Sequence, residues 1–181
     1  MKIGGIGGAN TLTGLAFEKE VDFQMLLEAI PGYQIKSIDG KVGRGVYFES
    51  KLVARCFRKH DFYGYLTEEG VDWEKAISKK LLPDDALLVI VRETLFIIEV
   101  KYQQVAGSVD EKLQTCDFKR KQYVKLVGNL GLKVEYVYVL NDWFKAPGYK
   151  DVLEYINSVN CHYKFGTLPL SWLGLPVQST Q

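Results

Sequence analysis

Asp84, Asp85, Glu99 and Lys101 are the residues whose types and spacing point to chemistry. The two aspartates open one apolar run, and the triplet Glu99-Val100-Lys101 closes the next. Charges at the end of otherwise apolar strands are costly unless they are paired or bound to a metal. Carboxylates are hard oxygen donors of the kind that hold Mg²⁺. An ammonium beside them can hold a water and offset developing negative charge. From the charges alone, a structural Asp–Lys or Glu–Lys pair at a sheet end explains the pattern equally well.

The elements that must position these groups lie in residues 82–101. Two Val-, Ile-, Leu- and Phe-rich runs flank the polar break Arg92-Glu93-Thr94, which reads as a β-hairpin with largely buried strands. Pairing Val91 with Leu95 sets Leu87 opposite Glu99 and Asp85 opposite Lys101, so the charges meet at the hairpin's open end. Side chains alternate along a strand, so Glu99 and Lys101 share one face, with Gln103 beyond them, while Ile98 and Val100 take the other.

The order Pro83-Asp84, fourteen residues, then Glu99-Val100-Lys101 resembles the signature of the PD-(D/E)XK nuclease superfamily, and it falls on the hairpin such a site requires. The Gly14-x-x-x-Glu18 spacing is similar to the N-terminal helix motif of several of these nucleases. The resemblance implies an α/β fold with a restriction-endonuclease-like core, a central mixed β-sheet flanked by helices in the order α-β-β-β-α-β. It implies hydrolysis of double-stranded DNA with Mg²⁺, for which Mn²⁺ substitutes, leaving a 5′-phosphate and a 3′-hydroxyl. Asp84 and Glu99 are then the core metal ligands. Glu18 is a direct or water-mediated third, and the Val100 carbonyl a further one. Lys101 holds the attacking water. Strand parity favours Asp85 as the ligand, whereas the motif favours Asp84. Gln103 could hydrogen-bond the scissile phosphate or cap the strand ladder.

Glu99-Val100-Lys101-Tyr102-Gln103 and Val139-Leu140-Asn141-Asp142-Trp143-Phe144 look like restriction endonucleases. The chain is similar to the small cleavage subunit of a heterodimeric type IIS enzyme, which implies a larger DNA-recognition subunit; a homodimer reading a palindrome is the other arrangement. The competing readings are a structure-selective nuclease of the Holliday-junction or repair kind, and a non-catalytic DNA-binding protein on a nuclease-derived fold.

With 181 residues, 47% hydrophobic and 25% charged, the chain suits one domain, residues 1–181, with a sizeable core. Its net charge of +1 gives no global electrostatic attraction to nucleic acid, so a DNA-binding surface must be a local patch. Cys56, Cys116 and Cys161 have neither disulfide-framework nor zinc-knuckle spacing and are expected to be reduced and buried. No run is long enough to cross a membrane, and the expected setting is the cytoplasm of a bacterium or archaeon.

The glycine-rich start lacks the spacing of a phosphate-binding loop. Residues 15–30 read as an amphipathic helix with Phe17, Val21, Met25, Leu26 and Ile30 on one stripe, stopped by Pro31-Gly32. Residues 33–66 carry short strands and a basic, aromatic mixture that includes Arg55, Arg58, Tyr63 and Tyr65, either a phosphate-contacting surface or a solvated sheet face. A short helix is expected over 73–80. A helix over 109–127 presents Leu113, Cys116, Tyr123, Val124 and Val127 inward, with its lysines beside the cleft. Residues 132–140 form a strand parallel to the Glu99 strand, as in a βαβ crossover. Residues 149–157 read as a helix, 162–165 as a last strand, and the tail as irregular.

Overall fold

The computed structural model describes residues 14–17, 22–104 and 109–177, without the side chains of Val109 and Asp110. Seven strands form the main sheet: β2 (Tyr33–Ser37), β3 (Arg44–Phe48), β4 (Lys51–Phe57), β5 (Asp85–Val89), β6 (Thr94–Lys101), β7 (Lys133–Leu140) and β8 (His162–Phe165), in that spatial order. Pairing is antiparallel as far as β6, then parallel from β6 to β7 and from β7 to β8. A two-stranded antiparallel ribbon joins β1 (Gly14–Ala16) to β9 (Thr167–Pro169). The helices are α1 (Phe23–Glu28), α2 (His60–Glu68), α3 (Trp73–Ala76), α4 (Val109–Leu113), α5 (Cys116–Val127), α6 (Lys150–Ser158) and α7 (Leu170–Leu173). The expected mixed sheet flanked by helices is present, with the parallel crossover from β6 to β7 passing through α4 and α5. Among the described residues no helix is long and apolar enough to cross a membrane.

The sheet is buried on both faces, which explains the near-continuous apolar runs of β5, β6 and β7. On one face Leu87, Phe96, Ile98, Val137 and Val139 pack with Phe23 and Leu27 of α1 and with Leu170 and Leu173 of α7. On the other, Ala86, Leu95, Ile97, Tyr136 and Tyr138 pack with Phe62 and Leu66 of α2, Tyr123 and Val127 of α5, and Ile156 of α6. The three cysteines are free and buried.

The hairpin register differs from the sequence expectation. Ile90–Arg92 form a 3₁₀ turn, and Glu93 closes it in the left-handed region at φ 49° and ψ 39°. This longer turn pairs Val89 with Thr94, Leu87 with Phe96 and Asp85 with Ile98. Val91 does not pair with Leu95; the residue is 83% exposed at the tip. The register moves by three residues, an odd number, and so exchanges the faces of β5 relative to β6. Asp85 therefore lies across from Ile98, not Lys101, and Leu87 across from Phe96, not Glu99.

Other expectations need correction. Leu15 belongs to β1, not to a helix, and in the described residues α1 begins only at Phe23, where Asp22 caps it by accepting from the Gln24 N–H at 2.7 Å. Met25 is exposed, off the expected stripe. Tyr63 and Tyr65 are buried in α2, and the Arg55 guanidinium is paired with Glu68 at 3.2 Å, so these three are core groups and not a phosphate-contacting surface. The expected 109–127 helix is two helices, with Leu126 buried and Val124 exposed. Strand 162–165 is followed by β9. The tail expected to be irregular forms α7, whose Leu170 and Leu173 are fully buried. The glycine-rich residues 1–13 lie outside the described residues.

Candidate active site

Antiparallel pairing brings the start of β5 and the end of β6 to one end of the sheet, beside the ends of β4 and β7. Glu99 sits there with only 4% of its surface exposed. Because Lys101 is two residues on, it shares the Glu99 face, and its Nζ lies 2.9 Å from Glu99 Oε2 and 3.5 Å from Asp84 Oδ2. Asp84 precedes the strand and is half exposed. Two carboxylates from separate strand ends thus converge on a single ammonium.

Two further side chains complete the surroundings of Glu99. Lys119, from α5, places Nζ 2.8 Å from Oε1 and 2.9 Å from Oε2. The Tyr136 hydroxyl, from β7, donates to Oε1 at 2.5 Å. Burial alone would raise the Glu99 pKa, but Lys101, Lys119 and the Tyr136 hydrogen bond outweigh it and hold the carboxyl below the ordinary glutamate range. Burial and the Glu99 charge push the Tyr136 phenol upward, which keeps it a neutral donor.

Asp85 has a different environment. It faces the α1 side of the sheet, where Arg58 Nε lies 3.9 Å from its Oδ1 and Arg58 Nη1 lies 2.6 Å from Asp22 Oδ2. Burial, with Asp22 and Asp84 adding to it and Arg58 opposing, pushes the Asp85 carboxyl up to about 7. Parity, which on the expected register favoured Asp85 as a partner of Glu99, on the observed register favours Asp84.

Gln103 is buried two residues past the end of β6. Its N–H donates to Asn141 Oδ1 at 3.1 Å, and its carbonyl accepts from Asn141 Nδ2 at 2.8 Å. This exchange ties the Gln103 backbone to the side chain that follows β7. The Val100 side chain packs towards the α1 core, as alternation requires. Glu18 lies outside the described residues.

Sequence reasoning placed the α5 lysines beside the cleft but missed Lys119 as a direct partner of Glu99, and missed Tyr136 entirely. A signal for Lys119 existed. Cys116, Lys119, Tyr123 and Leu126 follow helical spacing, and three of the four are buried. A lysine on the inward stripe of a crossover helix needs a buried anion to meet.

Among the described residues no three His, Cys, Asp or Glu side chains group to hold a metal ion. The donor chemistry nonetheless fits Mg²⁺, which keeps several waters and binds through one or two carboxylates together with substrate phosphate. Asp84 and Glu99 would hold it.

No curated protein and no solved structure matches the chain. A family model, the PD-(D/E)XK nuclease superfamily domain, matches residues 41–146. That span is more than half of the chain and contains Asp84, Glu99, Lys101, Lys119 and Tyr136. With these residues gathered at the end of a mixed sheet, the protein belongs to the PD-(D/E)XK nuclease superfamily.

Proposed function

We propose that this nuclease-superfamily domain is a Mg²⁺-dependent DNA endonuclease of the restriction type. The observation that carries the reading is the convergence of Asp84 and Glu99 on the Lys101 ammonium at the sheet end. A phosphodiester is anionic and resists attack by hydroxide. A divalent ion would acidify a bound water and stabilise charge on the transferring phosphoryl group. Asp84 and Glu99 would hold that ion, with Glu18 and the Val100 carbonyl as further ligands. Lys101 orients the attacking water and offsets charge on the phosphate oxygens. Tyr136 fixes the Glu99 carboxylate by donating to Oε1.

The described elements outside the matched span, α6, β8, β9, α7, β1, α1 and β2, pack into the sheet layers and the β1–β9 ribbon, and none forms an appended DNA-reading module. The proposed arrangement for reading a DNA site is a second protein subunit or a second copy of the chain. The test is cleavage of supercoiled plasmid, linear duplexes and four-way junctions in Mg²⁺ and in EDTA, with the chain alone and with candidate partner subunits. Discrete Mg²⁺-dependent fragments from linear duplex support the restriction reading. Cutting confined to junctions replaces it with a structure-selective nuclease.

A further inference from the structure

The Glu99 carboxylate is held by three hydrogen bonds and one further ion pair. Ionised, it offers about four lone-pair sites. Lys119 contacts both oxygens, Tyr136 takes Oε1 and Lys101 takes Oε2. A cation that is to chelate both Glu99 oxygens meets the Lys119 ammonium already between them.

The three donors are not equally removable. The Tyr136 phenol is fully buried and built into β7. Lys101 extends from the same strand as Glu99, is 18% exposed, and is also drawn to Asp84. Lys119 is the most exposed of the three, at 26%, and comes from a different element on a flexible four-carbon stem. Its ammonium straddles the two oxygens, the position a cation chelated by the carboxylate would take.

We propose that Lys119 is a displaceable internal counter-ion, which neutralises Glu99 in the metal-free protein and leaves the carboxylate when a divalent cation binds. The inference rests on the nuclease reading of Glu99 and adds a regulatory property to that site: divalent affinity is set by competition with the protein's own ammonium. Without metal, Lys119 spares the buried carboxylate an unpaired charge. With metal, the same contact opposes binding.

Calorimetric titration of the whole chain with Mn²⁺, in the absence of DNA, tests this. Lys119→Met keeps the stem and removes the charge. It should bind Mn²⁺ about tenfold tighter than the wild type, a shift on the scale of other groups that touch metal ligands. Lys119→Arg should stay near the wild-type affinity. Binding by Lys119→Met that is unchanged or weaker, with wild-type binding intact, overturns the exchange and leaves the nuclease reading standing. Absence of divalent binding in both proteins overturns both. A measurement on the unmutated chain covers misfolding of the variant: the Lys119 ammonium resonance should lose its protection from exchange with water on saturation with Mg²⁺. A resonance that does not change contradicts the proposal.

Discussion

Asp85 lies directly across the hairpin from Ile98, so it faces the α1 side of the sheet, while Asp84, one residue earlier, reaches to 3.5 Å from the Lys101 ammonium on the Glu99 side. Neighbouring aspartates thus serve different surfaces. Asp84→Asn should reduce Mg²⁺-dependent DNA cleavage to background with little loss of stability, because the side chain is half exposed. Asp85→Asn should retain cleavage. Initial rates on plasmid DNA, with thermal melts of both variants, check the pair.

Removing Glu99 should abolish cleavage and also show in the fold. Glu99→Ala leaves the Lys101 and Lys119 ammonium groups facing each other without their shared anion. Both lysines can reach water, so the cost should be about 1–3 kcal/mol, below the value for a fully buried broken pair. Urea unfolding measures it. Lys119→Met combined with Glu99→Ala should recover part of the loss, since one uncompensated charge is gone.

Away from the site, Arg55 and Glu68 form a largely buried ion pair. The Glu68 carboxylate accepts from the Val42 N–H at 2.8 Å and from Arg55, and Lys41 Nζ lies 2.9 Å from its Oε1. Burial opposes these contacts, but together they pull the Glu68 carboxyl down to about 2. A depressed folded-state pKa gives stability that is present above the ordinary glutamate pKa and is lost as pH falls through the folded value. Glu68→Gln should therefore be less stable than the wild type by a constant margin above pH about 5, and the margin should shrink as pH falls from about 4.5 towards 2. Denaturant melts across that range test the sign. Glu68→Ala should cost about 3 kcal/mol near neutral pH, because Arg55 is left buried with its charge unpaired.

The C-terminal helix gives a prediction opposite to that of an irregular tail. Leu173 is fully buried against the sheet, whereas Val177 is exposed. Leu173→Ala should destabilise by about 2–5 kcal/mol. Val177→Ala should stay within about 0.5 kcal/mol of the wild type. Equal effects of the two would place α7 outside the folded core.

Much of this arrangement is written in local sequence. The apolar runs before and after Arg92-Glu93-Thr94 announce two buried strands, and the Glu99–Lys101 spacing fixes a shared face whatever the register. The short link from α5 to β7 announces the parallel crossover. What sequence hides is set by single residues or distant contacts. Glu93 takes a left-handed conformation, and Ile90 and Val91 join the turn despite being apolar, which moves the register by three. The Leu15 strand exists because Leu168 lies opposite it, more than 150 residues later. Lys119 looks like one more lysine on a basic helix until Tyr123 and Cys116 are seen to point inward beside it.

In the proposed function Asp84, Glu99 and Lys101 form a metal-dependent phosphodiesterase centre. The most direct measurement incubates 5′-labelled duplex DNA with the wild type and with Lys101→Met, in Mg²⁺ and in EDTA, and analyses the ends of the products. Mg²⁺-dependent cuts bearing 5′-phosphate and 3′-hydroxyl ends are expected, lost in EDTA and reduced by about 10²–10³ in a Lys101→Met variant that melts like the wild type. Cleavage by Lys101→Met at the wild-type rate, or cleavage that persists in EDTA, would contradict it.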